Sequence, residues 1–248
     1  MVKFFTKKKI QEYAIKHNYQ PNFAARSLQN KKTFTIGIVL PKVVHEFFGK
    51  VLLGAQREAQ KNGYRCVVFP TNDDLKQEIN ETENLQNRDT DGIIMCYKSD
   101  GDTDSHIKKL IERRTPLVFV DLAPQNLKVS KVIIDDMRAG YMATKHLLEA
   151  GAFQIACICG PRNINNLLRA EGYRKAINES EYELNSNLII FNENLIEGEE
   201  LGMVHSKKLL KTYPLLNGVF TSTDMLATGF IKVAKKQNLR VPEDIKVI

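Results

Sequence analysis

The sequence predicts an α/β fold built from two doubly wound parallel sheets, and three observations support this. After Thr33, short apolar runs alternate with amphipathic segments of helical period. The runs are rich in β-branched residues and apolar on both faces, as strands of a covered parallel sheet are. The strand-then-helix units recur in two groups, which predicts two subdomains with the chain crossing near residues 134–136.

Each group has its own expected strands and helices. The first set of strands is expected at 34–40, 66–69, 92–96, 117–120 and 132–134, and the second at 155–159, 188–191, 219–221 and 245–248. Three connecting helices carry end signals. One closes at Gly63, another opens with two aspartates and closes at Gly151, and a third begins at Thr223 or Asp224. Right-handed crossovers should join the strands.

Residues 1–32 carry the whole excess charge of the chain. They hold eight basic residues against Glu12, whereas the remaining chain has 28 basic and 28 acidic residues. This distribution predicts either an arm that binds a polyanion or a solvated terminus, and charge alone does not separate the two. Helical spacing over 7–19 is broken at Pro21. A second, short helix should then begin at Asn22 and lead almost directly into the first strand.

The sequence contains none of the common catalytic motifs. It has no metalloprotease, nucleophile-elbow, phosphate-loop or dinucleotide-binding pattern, so we expect neither an enzyme nor a cofactor or metal. The four cysteines lie in apolar runs, and the pair at 157 and 159 has C-x-C rather than C-x-x-C spacing, which predicts buried thiols. No apolar run of about 18 residues and no signal-peptide pattern occurs, so we expect a cytoplasmic protein without a membrane partner.

Polar and aromatic residues collect where the predicted strands end. Carboxylates, amides and a guanidinium can bind hydroxyl groups, and aromatic rings can cover the C–H faces of a sugar. Parallel strands bind ligands at their carboxyl ends, here across an expected cleft between the subdomains. The alternative is that each residue is only a cap or loop residue, as we expect for Asp135 and Asp136. The candidates are Phe47, Phe48, Asp121, Asn163, Asn165, Arg169 and Asp224.

The order and spacing of several segments carry a family resemblance. They include "NYQPNFAARSL", "KTFTIGIVLPKVVHEFFGKVLLGAQREAQKNGY", "TDGIIM", "TPLVFVD", "VIIDD", "LLEAGAFQIACICGP", "LRAEGYRKAI", "DMLATGF" and "VPEDIKVI". Over nearly all of residues 7–248 the chain resembles the LacI/GalR family of bacterial transcriptional repressors. The resemblance implies a core like a periplasmic sugar-binding protein. It assigns 1–32 to a headpiece remnant with a hinge helix, 33–134 to the first effector subdomain and 135–248 to the second.

The resemblance also implies partners and residue roles. The hinge helix, paired with that of its dimer mate, would bind the minor groove of operator DNA. Leu28 would wedge between base pairs, Ala25 and Arg26 would face the groove, and Asn22 would lie near the DNA backbone. The seven candidates at the strand ends match the effector contacts of the family, with a sugar as the expected effector. Binding would shift the subdomain arrangement and thereby order or melt the hinge helices of a homodimer.

Two departures from the family pattern affect these expectations. Family members carry about two helices of a helix-turn-helix ahead of the segment matching 7–19, and they continue beyond the strand that ends at Ile248. We therefore expect a fragment of a longer protein that binds no operator specifically. A solute-binding module without DNA binding is the alternative function. An enzyme on the same fold is the third, which the fold alone does not exclude.

Overall fold

The fold was examined in a computed structural model. It describes residues 4–19, 27, 29, 32–43, 46–87, 90–98, 104–192 and 198–248. The chain divides into two compact units, unit 1 from Met1 to Ile133 and unit 2 from Ile134 to Ile248. In the described part, no helix combines the length and the apolarity needed to cross a bilayer.

Unit 1 is built on a five-stranded sheet, and its strands are β1 Thr35–Leu40, β2 Arg65–Pro70, β3 Gly92–Met95, β4 Leu117–Val120 and β5 Ser130–Val132. Its helices are α1 Phe4–Lys16, α2 Glu46–Lys61, α3 Leu75–Asn87 and α4 Ser105–Glu112. The strand order is β2-β1-β3-β4-β5, and every neighbouring pair is parallel. This is a doubly wound sheet, which confirms the predicted fold class.

The two faces of the unit 1 sheet have different cover. On one face, Leu85 of α3 and Ile107 and Leu110 of α4 pack against the strands. On the other face, Phe48 and Leu52 of α2 pack against the sheet, yet α2 itself contains no fully buried residue. Among the described helices, α2 therefore covers that face alone.

Unit 2 repeats the pattern with four parallel strands, β6 Ile155–Pro161, β7 Ile189–Asn192, β8 Gly218–Thr221 and β9 Lys246–Val247. Its helices are α5 Asp136–Glu149, α6 Ile164–Asn178, α7 Gly198–Thr212 and α8 Asp224–Lys236, with a 3-10 turn at Ser186–Leu188. The strand order β7-β6-β8-β9 matches the first four positions of unit 1. Helices α5 and α6 cover one face, and α7 and α8 cover the other.

Glycines allow the helices of each pair in unit 2 to cross closely. A Cβ at Gly140 or Gly172 would overlap backbone atoms of the facing helix, and the same holds for Gly202 and Gly229 in the other pair. Only glycine lets two helix backbones approach this far without displacing one of them. The predicted helix ends also agree with the structure, since Gly63 and Gly151 have positive φ angles of 75° and 84°.

Several predicted strand bounds were wrong. Strand β5 lies at Ser130–Val132 instead of 132–134, because its ladder to β4 ends at the pair Val120–Val132. Ile133 and Ile134 lie beyond that ladder and are exposed. Leu188 belongs to the 3-10 turn rather than to β7. Strand β2 is not apolar on both faces either: it is an edge strand with several exposed side chains, and Cys66 in it is only half-buried.

The N-terminal segment forms the predicted first helix, although α1 begins at Phe4 rather than near residue 7. Its apolar residues Ile10 and Tyr13 are exposed. The short helix expected from Asn22 onward lies outside the described residues. The DNA-contact predictions for Ala25, Arg26 and Leu28 lie outside them as well, and so all of these stay predictions.

Candidate functional site

In unit 2, the carboxyl ends of β6 and β8 lie side by side. Gly160 N donates a hydrogen bond to Ser222 Oγ at 3.1 Å, and Ser222 N donates to Ile158 O at 2.9 Å. These bonds continue the parallel ladder between the two strands into the segments that follow them. The segments carry Asn163 and Asp224, so two of the predicted ligand-binding residues belong to the same edge of this sheet.

Arg169 joins three elements at this edge. Its Nε donates to Asp136 Oδ1 at 2.7 Å, and its Nη1 donates to Ser222 O at 2.6 Å. The side chain of Asp136 is 4% exposed and that of Arg169 is 19% exposed. A charge-assisted bond in such a buried setting holds the guanidinium in one orientation. The Arg169 guanidinium therefore connects three elements, namely the start of α5, the first half of α6 and the segment after β8.

The helix crossing explains how Asp136 reaches Arg169. Gly140 lies one turn after Asp136 on α5, and Gly172 lies one turn after Arg169 on α6. Because both glycines lie where the two backbones meet, their neighbours one turn away are drawn together as well. The ion pair between Asp136 and Arg169 therefore depends on an aspartate at the start of α5 and on a glycine in each of the two helices.

The predicted residues after β6 have partly structural roles. Asn163 is the N-cap of α6, and its side chain accepts a hydrogen bond from Asn166 N at 2.9 Å. Asn165 is half-buried on the first turn. Asp224 is exposed in the first turn of α8, and Thr223 before it is the N-cap. The cap bond takes one acceptor site of Asn163, and its amide nitrogen can still act as a donor.

In unit 1, the two predicted aromatic residues face different surroundings. The rings of Phe47 and Phe48 lie 5.1 Å apart at an interplanar angle of 74°. Phe48 packs against the core with Ile38 and Leu40, whereas Phe47 is 47% exposed. Phe48 therefore anchors the start of α2, and Phe47 offers a ring to solvent or to a ligand.

Asp121 has the left-handed backbone expected of a constrained position. Its φ angle is +64°, and its N–H donates to Val132 O at 3.1 Å. Its Oδ2 lies 3.9 Å from Cys96 Sγ. Burial raises the pKa of the Cys96 thiol, and the Asp121 carboxylate raises it further. The end of β4 is thus held by its bond to β5, with the Asp121 carboxylate beside the Cys96 thiol.

Sequence reasoning missed a turn beside these residues. Asn72 and Asp73 both have positive φ, and Asp74 N donates to Thr71 O at 2.9 Å, which closes a tight turn after β2. Lys42, after β1, pairs with Asp73 at 3.2 Å. Adjacent Asn and Asp residues favour such turns, so the "TNDD" segment carried the signal. Asp136 was also missed, because it had been assigned to capping, whereas Asp135 alone is the cap.

The comparisons with known proteins agree with this arrangement. Residues 33–248 match the family model of the periplasmic binding proteins and the sugar binding domain of the LacI family. The chain belongs to the LacI family. The match covers most of the sequence, and it confirms the predicted family and the α/β effector fold.

Relatives within the LacI family are transcriptional repressors. The chain is 31% identical over 252 residues to the HTH-type transcriptional repressor PurR of Aliivibrio fischeri strain MJ11, which covers 98% of this chain and 72% of that protein. It is 29% identical over 246 residues to the ribose operon repressor of Haemophilus influenzae, covering 98% and 71%. The regulator CcpA of Lactococcus lactis superposes with a TM-score of 0.76 at 26% identity, covering 86% of this chain and 76% of CcpA.

These relatives support the predicted function at the level of the LacI family. The chain is a ligand-responsive regulator of the repressor type, and the solute-binding alternative is disfavoured. Its relatives are regulators rather than enzymes, which fits the absence of catalytic motifs. The individual ligand-binding and DNA-binding residues stay predictions.

Proposed function

We propose that the chain binds a sugar or sugar derivative at the carboxyl ends of its strands and thereby controls transcription. The observation that carries this is the Arg169 guanidinium, fixed by Asp136 and Ser222 at the edge where β6 and β8 end. Sheets of α/β proteins bind ligands at the carboxyl ends of their strands, and Arg169 supplies a hydrogen-bond donor of fixed orientation at that place.

The groups around Arg169 suit hydroxyl-bearing ligands. Arg169 and the Asn163 amide donate hydrogen bonds, and the exposed Asp224 carboxylate accepts them from sugar O–H groups. In unit 1, the exposed Phe47 ring and the Asp121 carboxylate form a second set of the same chemistry. Each unit therefore offers its own polar edge.

A thermal-shift screen tests the sugar proposal. A panel of uncharged pentoses, hexoses and disaccharides should contain a ligand that stabilises the protein, by about 2.7 kcal/mol at 100 times its Kd. The substitution Arg169→Gln should abolish that shift. A shift that survives unchanged in R169Q would remove Arg169 from the ligand site.

We also propose that residues 1–32 contact operator DNA. Their net charge of +7 is the whole excess charge of the chain, and α1 exposes Lys7, Lys8 and Lys9. DNA binding by this chain should weaken steeply with salt. Changing these three lysines to glutamine should reduce the slope of log K against log salt concentration by up to about 3.

The matched control for the DNA test changes three exposed lysines of α7, namely Lys207, Lys208 and Lys211. It lowers the net charge equally but on unit 2. If both triple variants changed the salt slope by the same amount, binding would reflect general charge rather than the N-terminal arm.

A homodimer is the third part of the proposal. Leu53 on α2 is 47% exposed, and α2 buries no residue completely. A second copy packing on this surface would supply the missing cover. Leu53→Glu should convert the dimer to a monomer in sedimentation analysis, whereas Leu167→Glu, a similarly exposed leucine of unit 2, should not. A monomeric wild type would refute this part.

The cysteines fit a reducing compartment, and we propose that the chain acts in the cytoplasm. All four are free thiols, including Cys157 and Cys159, whose sulfurs lie 3.6 Å apart without a disulfide. Disulfides are rare in the reducing cytosol.

A further inference from the structure

Asp136 holds a buried negative charge whose cationic partner is Arg169. The residue is 3% exposed, and its Oδ1 accepts from Arg169 Nε at 2.7 Å. A buried carboxylate is tolerated only when it is paired and hydrogen-bonded. The pair as a whole is electrically neutral, so the guanidinium at this edge carries little unbalanced charge.

The contacts of Arg169 also limit what a ligand can use. A guanidinium has five N–H groups on three nitrogens. Nε is engaged by Asp136, and Nη1 gives one N–H to Ser222 O. A planar anion that approached along the Nε side would have to displace the Asp136 carboxylate. A hydroxyl oxygen needs only one of the remaining N–H groups.

The other charges at this edge do not favour an anion either. Arg162 lies over the Phe191 ring, 4.5 Å from its centroid, and Asp224 lies exposed in the first turn of α8. With Arg169, Asp136 and the neighbouring Asp135, these side chains of the described part of the edge include two guanidinium groups and three carboxylates. These carboxylates outnumber the guanidinium groups, so long-range attraction of an anion is small.

We infer that Asp136 is a positioning residue that orients and neutralises Arg169, so that the unit 2 edge selects uncharged oxygen-rich ligands over anionic ones such as sugar phosphates. The inference rests on the proposed ligand site and names the charge class of its ligand. Asp136 acts through Arg169, and the ligand itself contacts Arg169.

The test uses inorganic phosphate as an anion probe, since it does not depend on which sugar is the effector. In isothermal titration, the wild type and Arg169→Gln should bind phosphate equally weakly, which means that Arg169 contributes no phosphate binding in the wild type. Asp136→Asn should bind phosphate with a Kd at least tenfold below the highest phosphate concentration at which the wild type shows no Arg169-dependent binding, because the guanidinium loses its counter-ion. The double variant D136N/R169Q should lose that gain.

Asp135→Asn is the matched control. It removes a carboxylate one residue away and leaves an N-cap residue of equal quality, without touching the Arg169 contact. Phosphate binding in D135N should equal that of the wild type. Equal gains in D135N and D136N would overturn the inference, because they would show a general charge effect.

A second arm compares D-ribose with D-ribose 5-phosphate, and D-glucose with D-glucose 6-phosphate. An uncharged sugar that binds the wild type should bind D136N at least tenfold more weakly. The ratio of the ester's affinity to that of the free sugar should be higher in D136N than in the wild type. Wild-type preference for the ester would overturn the inference even if D136N failed to fold. If no sugar bound but the phosphate arm behaved as expected, the sugar proposal would fail and the role of Asp136 would stand.

Discussion

The two units have the same strand order at four positions but stabilise their layers differently. In unit 2 each face of the sheet carries a pair of helices, and each pair crosses on glycines. Among the described helices of unit 1, α3 and α4 alone form such a pair, and a buried polar contact joins them: Glu78 Oε1 lies 3.0 Å from His106 Nε2, with both side chains within 1% of full burial. One topology is thus compatible with either backbone contact or buried polar contact between helices.

This difference has a consequence for where each unit is sensitive to change. Close helix crossings leave no room for a methyl group, so unit 2 should be sensitive to volume at its glycines. The buried Glu78 carboxylate contacts His106 Nε2 at 3.0 Å and accepts a bond from Lys98 N at 2.8 Å, so unit 1 should be sensitive to the loss of either partner of this carboxylate.

Gly172→Ala should be the most damaging. A Cβ at this position would overlap Met137 O and lie 2.5 Å from Tyr141 N, both backbone atoms that cannot move alone. We expect a loss of at least about 3 kcal/mol in the free energy of unfolding, measured by urea denaturation. A loss below about 1 kcal/mol would show that α5 and α6 can separate easily.

His106→Ala should cost about 2–3 kcal/mol, because Glu78 Oε1 would stay buried without His106 Nε2 and the carboxylate would keep only its bond from Lys98 N. The matched control joins the same two helices at the surface: Lys109 Nζ pairs with Glu83 Oε1 at 3.1 Å, and both side chains are about half exposed. Lys109→Ala should cost less than about 1 kcal/mol. Equal costs in urea denaturation would mean that burial does not matter here.

Asp91→Asn should cost about 1–2 kcal/mol at neutral pH. The Asp91 carboxylate accepts bonds from Thr33 N at 2.7 Å, Thr33 Oγ1 at 2.8 Å and Phe34 N at 3.0 Å, just before β1. Burial favours a higher pKa for Asp91, but these hydrogen bonds outweigh it and lower the pKa below its usual value.

The contribution of Asp91 should therefore depend on pH in one direction. It is fully present above the unfolded-state pKa of about 3.9 and is lost as the pH falls through the lower folded-state pKa. Urea denaturation of wild type and D91N at pH 7 and at pH 3 should show the difference shrinking in acid. A difference that grew in acid would contradict this assignment.

Gly54→Ala should have the smallest effect and the opposite sign. No atom lies within 4 Å of a Cβ at Gly54, which is in the interior of α2. Alanine should stabilise unit 1 by about 0.5–1 kcal/mol, since it lowers the entropy of the unfolded chain. Urea denaturation of G54A and G172A together distinguishes an exposed helix glycine from a glycine at a close helix crossing. Destabilisation would instead indicate that a partner covers this face of α2.

Periodicity predicted most of the strands, because buried parallel strands must be apolar. It placed β5 two residues too late, since Ile133 and Ile134 are apolar without belonging to the ladder. It also predicted that both faces of β2 are buried, whereas β2 is an edge strand with exposed side chains. Pattern alone does not show which strand lies at an edge, because strand order is a tertiary property.

The candidate site shows the same division. Asn163 and Asp224 could be proposed because each lies where a strand gives way to a helix. Arg169 was expected at the start of the helix after β6, and this was wrong, because α6 begins at Ile164 and Arg169 is its sixth residue. Asp136 could not be proposed, because its partner is 33 residues away and reaches it only through the α5–α6 crossing. Capping explained an aspartate at a helix start equally well, and only the position of Arg169 distinguishes Asp136 from Asp135.

The bond from Lys98 N to Glu78 has a consequence for substitutions at position 98. Glu78 accepts this bond from the main-chain N–H at position 98, so the bond does not depend on the side chain there. Proline is excluded at this position because it lacks the N–H. Lys98 lies three residues after the end of β3 at Met95. A substitution of Lys98 by any residue except proline should therefore keep this hydrogen bond, so the side chain near the end of β3 can change while the main chain stays anchored.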